Sequence, residues 1–271
     1  PEFVTEAKRD VIANCIYGVD LNDMAVELCK VNLWLESIDP GKPLTFLDAH
    51  IRQGNSLLGT TPALMARGIP EDAFPTKSGL IEGDQNKIVS NLRKQNRDEL
   101  KQREAGVKQR SMFDIIEPPT DYTKLSRQFQ QLAHAPDDTL SAVQAKEAQY
   151  RALAQDPEYV KGKFLADLWC AVFVWMKAEN ATYTSFGANG NGAGRTVPAP
   201  PTDLLYRNIE ANPLDDKWTD IRAYTAYLAD RYDFFHWHIA FPEVFTVREN
   251  PAKRETPDDE TPTIPEITGW D

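Results

Sequence analysis

The stretch "IYGVDLNDMAVELCKVNLWLESI", Ile16 to Ile38, changes periodicity at Asp20, and that change limits the folds open to the chain. Cys15 to Leu21 is a continuous apolar run, the pattern of a parallel strand covered on both faces. Leu21, Met24, Leu28, Val31 and Leu35 then recur at spacings of 3, 4, 3 and 4, one face of a helix. The helix stops at Asp39-Pro40-Gly41, because Pro40 disfavours helical backbone in the residue before it. A second short strand is expected near His50 to Gln53, ending in "GNSLLG". Strand, helix, strand is the βαβ unit of a doubly wound α/β sheet.

The rest of the chain reads differently. Residues 61–232 are mostly helical in pattern, with no second convincing βαβ unit. In "KFLADLWCAVFVWMK", Phe164, Leu168, Val172 and Trp175 line one side while Leu165, Trp169 and Phe173 widen it, so this helix belongs in a core. "GANGNGAGRT", Gly187 to Thr196, follows no strand and precedes no Gly-Lys-Ser/Thr, so a flexible surface loop is expected rather than a phosphate cradle. "DFFHWHIAFPEVF", Asp233 to Phe245, is expected to be extended. The division is therefore 1–60, the βαβ unit; 61–232, a helical insertion; and 233–271, an aromatic strand with an acidic, proline-rich tail.

The longest apolar stretch, Phe164 to Met176, is broken by Asp167 and falls short of the roughly 20 residues a membrane span needs. Cys15, Cys29 and Cys170 form no C-x-x-C pair, so reduced thiols in a cytoplasmic protein are expected. His236 and His238 alternate with Trp237 and would share a strand face. Two histidines without a third ligand make a poor zinc site, so hydrogen-bonding or packing roles are expected and no metal. The net charge of −11 is unevenly spread. Lys87 to Arg110 holds eight basic residues against three acidic ones, on a segment of helical composition. Arg93, Arg97 and Lys101 share one face, broadened by Lys94 and Lys108. The row is either a solvated face or a contact to DNA phosphates.

Asp20 ends the first strand. In open α/β sheets ligands bind beyond the carboxyl ends of the strands, and an acid there can accept hydrogen bonds from vicinal ribose hydroxyls. Capping the following helix is the rival role, although Asn22 or Asp23 is better placed for it. Gly54-Asn55-Ser56-Leu57 lies at the equivalent end of the next strand. Gly54 permits a tight turn, Asn55 offers a donor and an acceptor, and Leu57 could pack on a ring.

"IYGVDLNDMAVELCKVNLWLES" with "DPGKPLTFLDAHIRQGNSLLGT", together with "FFHWHIAFPEVF", resembles the large S-adenosylmethionine-dependent DNA adenine-N6 methyltransferases of single-chain restriction–modification enzymes and of BREX- and DISARM-type phage defence. The resemblance covers about residues 5–66 and 233–245, and the helical middle more loosely. It implies a partial Rossmann-like class I methyltransferase sheet carrying a large helical insertion. It implies that Asp20 binds the cofactor ribose, that Leu21 touches the adenine ring, and that Asn55 and Ser56 face its edge. Asn55 stands where most of the wider superfamily has an acid. The family's Gly-rich D-P-A-C-G-S-G loop would precede Pro1 and its N-P-P-[YW] loop would follow Asp271. On this expectation the chain is an internal piece, inactive alone, of an enzyme acting on double-stranded DNA. The insertion is left to contact DNA, dock a defence-system partner subunit or shield the site. The alternative is a non-catalytic interaction module on a Rossmann-like base.

Overall fold

The computed structural model describes residues 2–75, 84–110, 122–186, 192–247 and 267–268. In chain order the elements are α1 (Glu2–Asn14), β1 (Gly18–Asp20), α2 (Asp23–Glu36), β2 (Ile51–Gln53), α3 (Pro62–Ala66) and a 3-10 turn (Glu71–Ala73). Then come α4 (Asp84–Arg110), α5 (Tyr122–Ala133), α6 (Leu140–Leu153), α7 (Pro157–Val174), β3 (Thr182–Phe186) and β4 (Gly192–Thr196). Last come α8 (Asp203–Ala211), a 3-10 turn (Asp216–Trp218), α9 (Thr219–Tyr232), α10 (Trp237–Ala240), β5 (Thr246–Val247) and β6 (Ile267–Thr268). Among the described residues no helix is long and apolar enough to cross a membrane. The chain divides into two compact units, one of residues 1–63, 120–163 and 233–271, the other of residues 64–119 and 164–232. The helical middle is thus shared between them, with 120–163 joining the βαβ residues.

The first unit is built on a parallel pair. β1 and β2 run in the same direction with Gly18 opposite Ile51, Val19 opposite Arg52 and Asp20 opposite Gln53, joined by α2. Gly18 N donates to His50 O at 3.0 Å and Gly54 N to Asp20 O at 2.9 Å, which extends the ladder past both ends of β2. Parallel strands need cover on both faces. Ile12, Val26, Leu47 and Ile51 form one cover, with Ile16, Leu33 and Trp34 against them. Phe235, Ala240 and Phe241 form the other, over Tyr17 and Val19. Burying side chains of this size contributes about 1.5–3 kcal/mol each.

The structure corrects three expectations and leaves the apolar face of α2 in the open. Helix α2 does not bury the row Met24, Leu28, Val31 and Leu35, whose side chains are 44% to 63% exposed. It turns Val26 and Lys30 inward instead. Lys30 can take that place because its ammonium reaches Asp48 at 2.5 Å and Glu27 at 2.8 Å. Burial lowers its pKa, but those hydrogen bonds outweigh the burial and raise it. The Gly-rich segment is not all loop: Gly192–Thr196 pairs antiparallel with Thr182–Phe186, while 187–191 lie outside the described residues. "DFFHWHIAFPEVF" is not a strand, since only Phe234 bridges Asn55 before the chain turns into the four-residue helix α10. His236 therefore precedes a helix and His238 sits within it. The strand expected over Cys15 to Leu21 is confined to Gly18–Asp20. Most of the acidic tail lies outside the described residues.

In the second unit, α7 supplies the broadly buried surface its sequence implied: Leu165, Ala166, Leu168, Ala171 and Val172 are essentially inaccessible. A buried polar knot joins distant segments there. Asn96 of α4 donates to Ile69 O at 2.7 Å and accepts from Asp203 N at 2.8 Å. Asp203 Oδ1 accepts from Ile69 N at 3.2 Å, and Trp169 Nε1 donates to Gly68 O at 3.0 Å.

Candidate functional site

Asp20 closes β1 with its side chain exposed at the carboxyl end. Its Oδ1 accepts from Asn22 N at 2.7 Å, which orders the turn into α2. Capping itself belongs to Asn22, whose backbone is extended (φ −91, ψ 115) and whose Oδ1 accepts from Met24 N at 2.9 Å. Asp20 is thus outside the cap. Leu21 is exposed beside it, and its carbonyl accepts from Gln53 Nε2 at 3.4 Å.

The second strand ends in a tight loop. Asn55 N donates to Asp233 O at 2.6 Å, and Asn55 Oδ1 accepts from Leu57 N at 3.1 Å. Asp233 adopts left-handed backbone, φ 52, which a short polar side chain tolerates. Ser56 is exposed and Leu57 is 89% exposed. The glycines flanking this loop are required by close approach. A Cβ on Gly54 would lie 2.5 Å from the Phe235 ring, and one on Gly59 would lie 2.0 Å from the Phe235 carbonyl oxygen. Phe235 N in turn donates to Leu58 O at 2.9 Å, and Thr60 N donates to His236 Nδ1 at 3.1 Å. Asp20, Leu21, Asn55, Ser56 and Leu57 therefore stand together at one edge of the parallel pair. Such a set can accept hydrogen bonds from hydroxyls, donate through an amide, and flank a planar ring with apolar groups.

Beneath that edge lies a polar group the sequence reading missed. Tyr17 and His50 stack at 4.4 Å, and Arg52 donates to Ala240 O at 2.9 Å with its guanidinium 6.0 Å from the Tyr150 ring. Burial pushes Glu243 up to about 7, although hydrogen bonding to Tyr17 and the charge of Arg52 act the other way. Burial and the nearby Lys146 lower His50 to about 4. His238, buried against Tyr122 with ring centroids 5.3 Å apart, is lowered to about 3 by burial and by His236. The available signal was a charge within each of two short segments, Arg52 in "HIRQG" and Glu243 in "FPEVF". Among the described residues no three His, Cys, Asp or Glu side chains are grouped to hold a metal ion.

The basic row of α4 has a partner that sequence did not suggest. Arg97 grips Glu71 with Nε at 2.7 Å from Oε1 and Nη2 at 2.6 Å from Oε2, and Arg93 Nε reaches Oε2 at 3.2 Å. Hydrogen bonding to Arg97, then to Arg93, holds Glu71 down at about 2. Lys94 and Lys101 are exposed, and the side chain of Lys108 lies outside the described residues. The second unit also has an open cleft of about 570 Å³, lined by Tyr183, Tyr224, Tyr227, Tyr232 and Arg231 among others. None of the strand-end residues lines it.

Residues 14–256 match the family model described as Eco57I restriction-modification methylase. The chain belongs to that family. The match takes in β1, α2, β2, the helical middle and the Phe235–Phe245 cover, so the Eco57I methylase domain includes both units. A relative from Methanocaldococcus jannaschii, named "Putative type II restriction enzyme and methyltransferase", is 37% identical over 65 residues. That stretch is 21% of this chain and only 6% of the relative's own length. No solved structure matches the chain.

Proposed function

We propose that this chain supplies the cofactor-binding strand ends of a DNA adenine-N6 methyltransferase, within a restriction–modification or phage-defence enzyme. The observation that carries the reading is that Asp20, opposite Gln53 and bonded through its carbonyl to Gly54 N, and the Asn55 turn both stand at the carboxyl ends of two adjacent parallel strands, in a member of a restriction-modification methylase family. Asp20 accepts the ribose hydroxyls of S-adenosylmethionine; one carboxylate oxygen already orders the turn, which fixes the group's direction. Asn55 has its Oδ1 engaged by Leu57 N, so its amide nitrogen remains to donate to a purine ring nitrogen. Leu21 and Leu57, both exposed, flank the ring, and Ser56 faces its edge. The cofactor, when bound, supplies an electrophilic methyl group on a sulfonium.

The target adenine must leave the duplex to be reached. No N-P-P tripeptide occurs in these residues, so the reading gives them cofactor binding and leaves contact with the adenine amine to other residues of the enzyme. These residues alone are expected to transfer no methyl group. The fold proposed is a Rossmann-like sheet continuing past the edge of β1 that has no strand partner among the described residues. The bare row on α2 supports that, because a helix of such a sheet buries its apolar face. Lys94 and Lys101 are the proposed phosphate contacts on α4, with Arg93 and Arg97 held back by Glu71. The same bare row also favours a second reading, an interaction module that docks a partner subunit. Calorimetric titration of S-adenosylmethionine into the full-length enzyme tests the first. Asp20→Ala should weaken binding by about 1–3 kcal/mol, the scale of charge-assisted hydrogen bonds. Unchanged affinity in a folded variant would leave Asp20 a turn residue and favour the module.

A further inference from the structure

Trp237 breaks the pattern of its surroundings. Phe235, His236, His238, Ile239, Ala240 and Phe241 are all buried, yet the tryptophan between them is 36% exposed. It is not loose. Its Nε1 donates to Ser56 O at 3.2 Å, which pins the ring to the Asn55–Leu57 loop. Phe235 meets it edge-on at 5.3 Å, Phe245 at 5.6 Å, and Phe241 lies at 5.8 Å, tilted. One part of the indole is therefore fixed in the aromatic cover while another reaches solvent beside Ser56 and Leu57.

From this geometry we infer that Trp237 is a stacking platform for an adenine ring, a role that rests on the proposed cofactor site. An indole already immobilised by a hydrogen bond and three aromatic neighbours loses little side-chain entropy when a ligand covers it. Stacking on a purine also tolerates the absence of further polar contacts, which Asn55 would add at the ring edge. The adenine has two sources, the cofactor itself or a base displaced from DNA, and both present the same ring.

The test uses the full-length enzyme with Trp237→Leu, Trp237→Phe and Asp20→Ala, each titrated with S-adenosylmethionine and, separately, with oligodeoxyadenylate. Trp237→Leu should weaken one of these ligands about ten-fold, the scale of losing one base–aromatic stack. Wild type should show a ligand-dependent change in indole fluorescence, and Trp237→Phe should largely keep affinity while abolishing that change. That fluorescence result decides the matter even where Trp237→Leu fails to fold. Loss confined to S-adenosylmethionine assigns the platform to the cofactor, and loss confined to the oligonucleotide assigns it to a DNA base. If Trp237→Leu binds both ligands as wild type does, or Trp237→Phe keeps the fluorescence change, the platform is overturned. Should Asp20→Ala then still lose S-adenosylmethionine, the cofactor site stands without it. Affinity unchanged in Asp20→Ala but reduced in Trp237→Leu would instead sink the Asp20 reading alone. Wild type that binds neither ligand overturns both.

Discussion

Glu243 and the histidines near it make stability depend on pH in opposite senses. The folded chain holds the Glu243 proton up to about 7, above the ordinary value of 4.5, because burial penalises the carboxylate. Folding therefore takes up a proton between those values, and stability falls as pH rises through them. Glu243→Gln should be more stable than wild type at pH 8, by about 1–3 kcal/mol, with the difference closing near pH 5. Denaturant unfolding at the two pH values checks this; an unchanged gap would remove Glu243 as its cause. His50 and His238 act on the acid side. Their folded values, about 4 and about 3, lie below the ordinary 6.5, so the unfolded chain is protonated first. Their contribution is complete above pH 6.5 and is lost as pH falls toward those folded values. A third expectation at this scale concerns backbone. Gly59→Ala would set a Cβ 2.0 Å from the Phe235 carbonyl oxygen, where no flexible side chain can yield. It should cost about 1–3 kcal/mol, the range for overpacking, measured as a lowered urea midpoint with unchanged slope.

Among the elements, periodicity disclosed helices better than it disclosed which face they bury. The spacing of Leu21, Met24, Leu28, Val31 and Leu35 announced α2 correctly as a helix, yet the face turned inward carries Val26 and Lys30. A lysine is ordinarily read as a surface residue, and only the carboxylates of Asp48 and Glu27 show why this one is not. Glycines concealed β4, because "GAGRT" has no strand propensity of its own and is held by pairing with the Thr- and aromatic-rich "TYTSF". Asp20 and the Asn55 loop were legible because both depend on local features, a strand end and a turn. Trp237 and Glu243 were not, since their positions come from contacts across more than 180 residues of sequence. Helix α4 shows the same limit and yields a sharper expectation. Arg93 and Arg97 are committed to Glu71, whereas Lys94 and Lys101 are exposed. Reversing the two lysines to Glu should weaken binding to all DNA sequences and lower the log–log salt slope by up to about 2, with no change in melting temperature. Reversing the two arginines should instead lower the melting temperature, by setting three carboxylates together. Lysine reversals that leave the salt slope intact would end the DNA role of α4.

At the scale of the whole molecule, the bare face of α2 separates the two proposed readings. Met24, Leu28, Val31 and Leu35 are each more than 40% exposed, joined by Leu21 and Ile38 along the same helix and its ends. A contiguous apolar row is unusual on a surface that stays in water, and it marks a face that something covers. If a Rossmann-like sheet continues past β1, the cover is permanent and belongs to the folding unit. Leu28→Ala and Leu35→Ala should then each cost about 2–5 kcal/mol in the full-length enzyme, as deletions in a core do. If a partner subunit covers the row, the isolated enzyme should lose less than about 0.5 kcal/mol, as for surface substitutions, while the complex weakens. Helix α2 meets the rest of its unit through Val26, Leu33 and Trp34 on another face, which leaves the row open to either cover. Unfolding of the two leucine variants by denaturant, in full-length enzyme free of partners, therefore decides between them. A large loss supports the continuous sheet. A negligible one, with Val26→Ala still costly as a control, would assign the row to an interface.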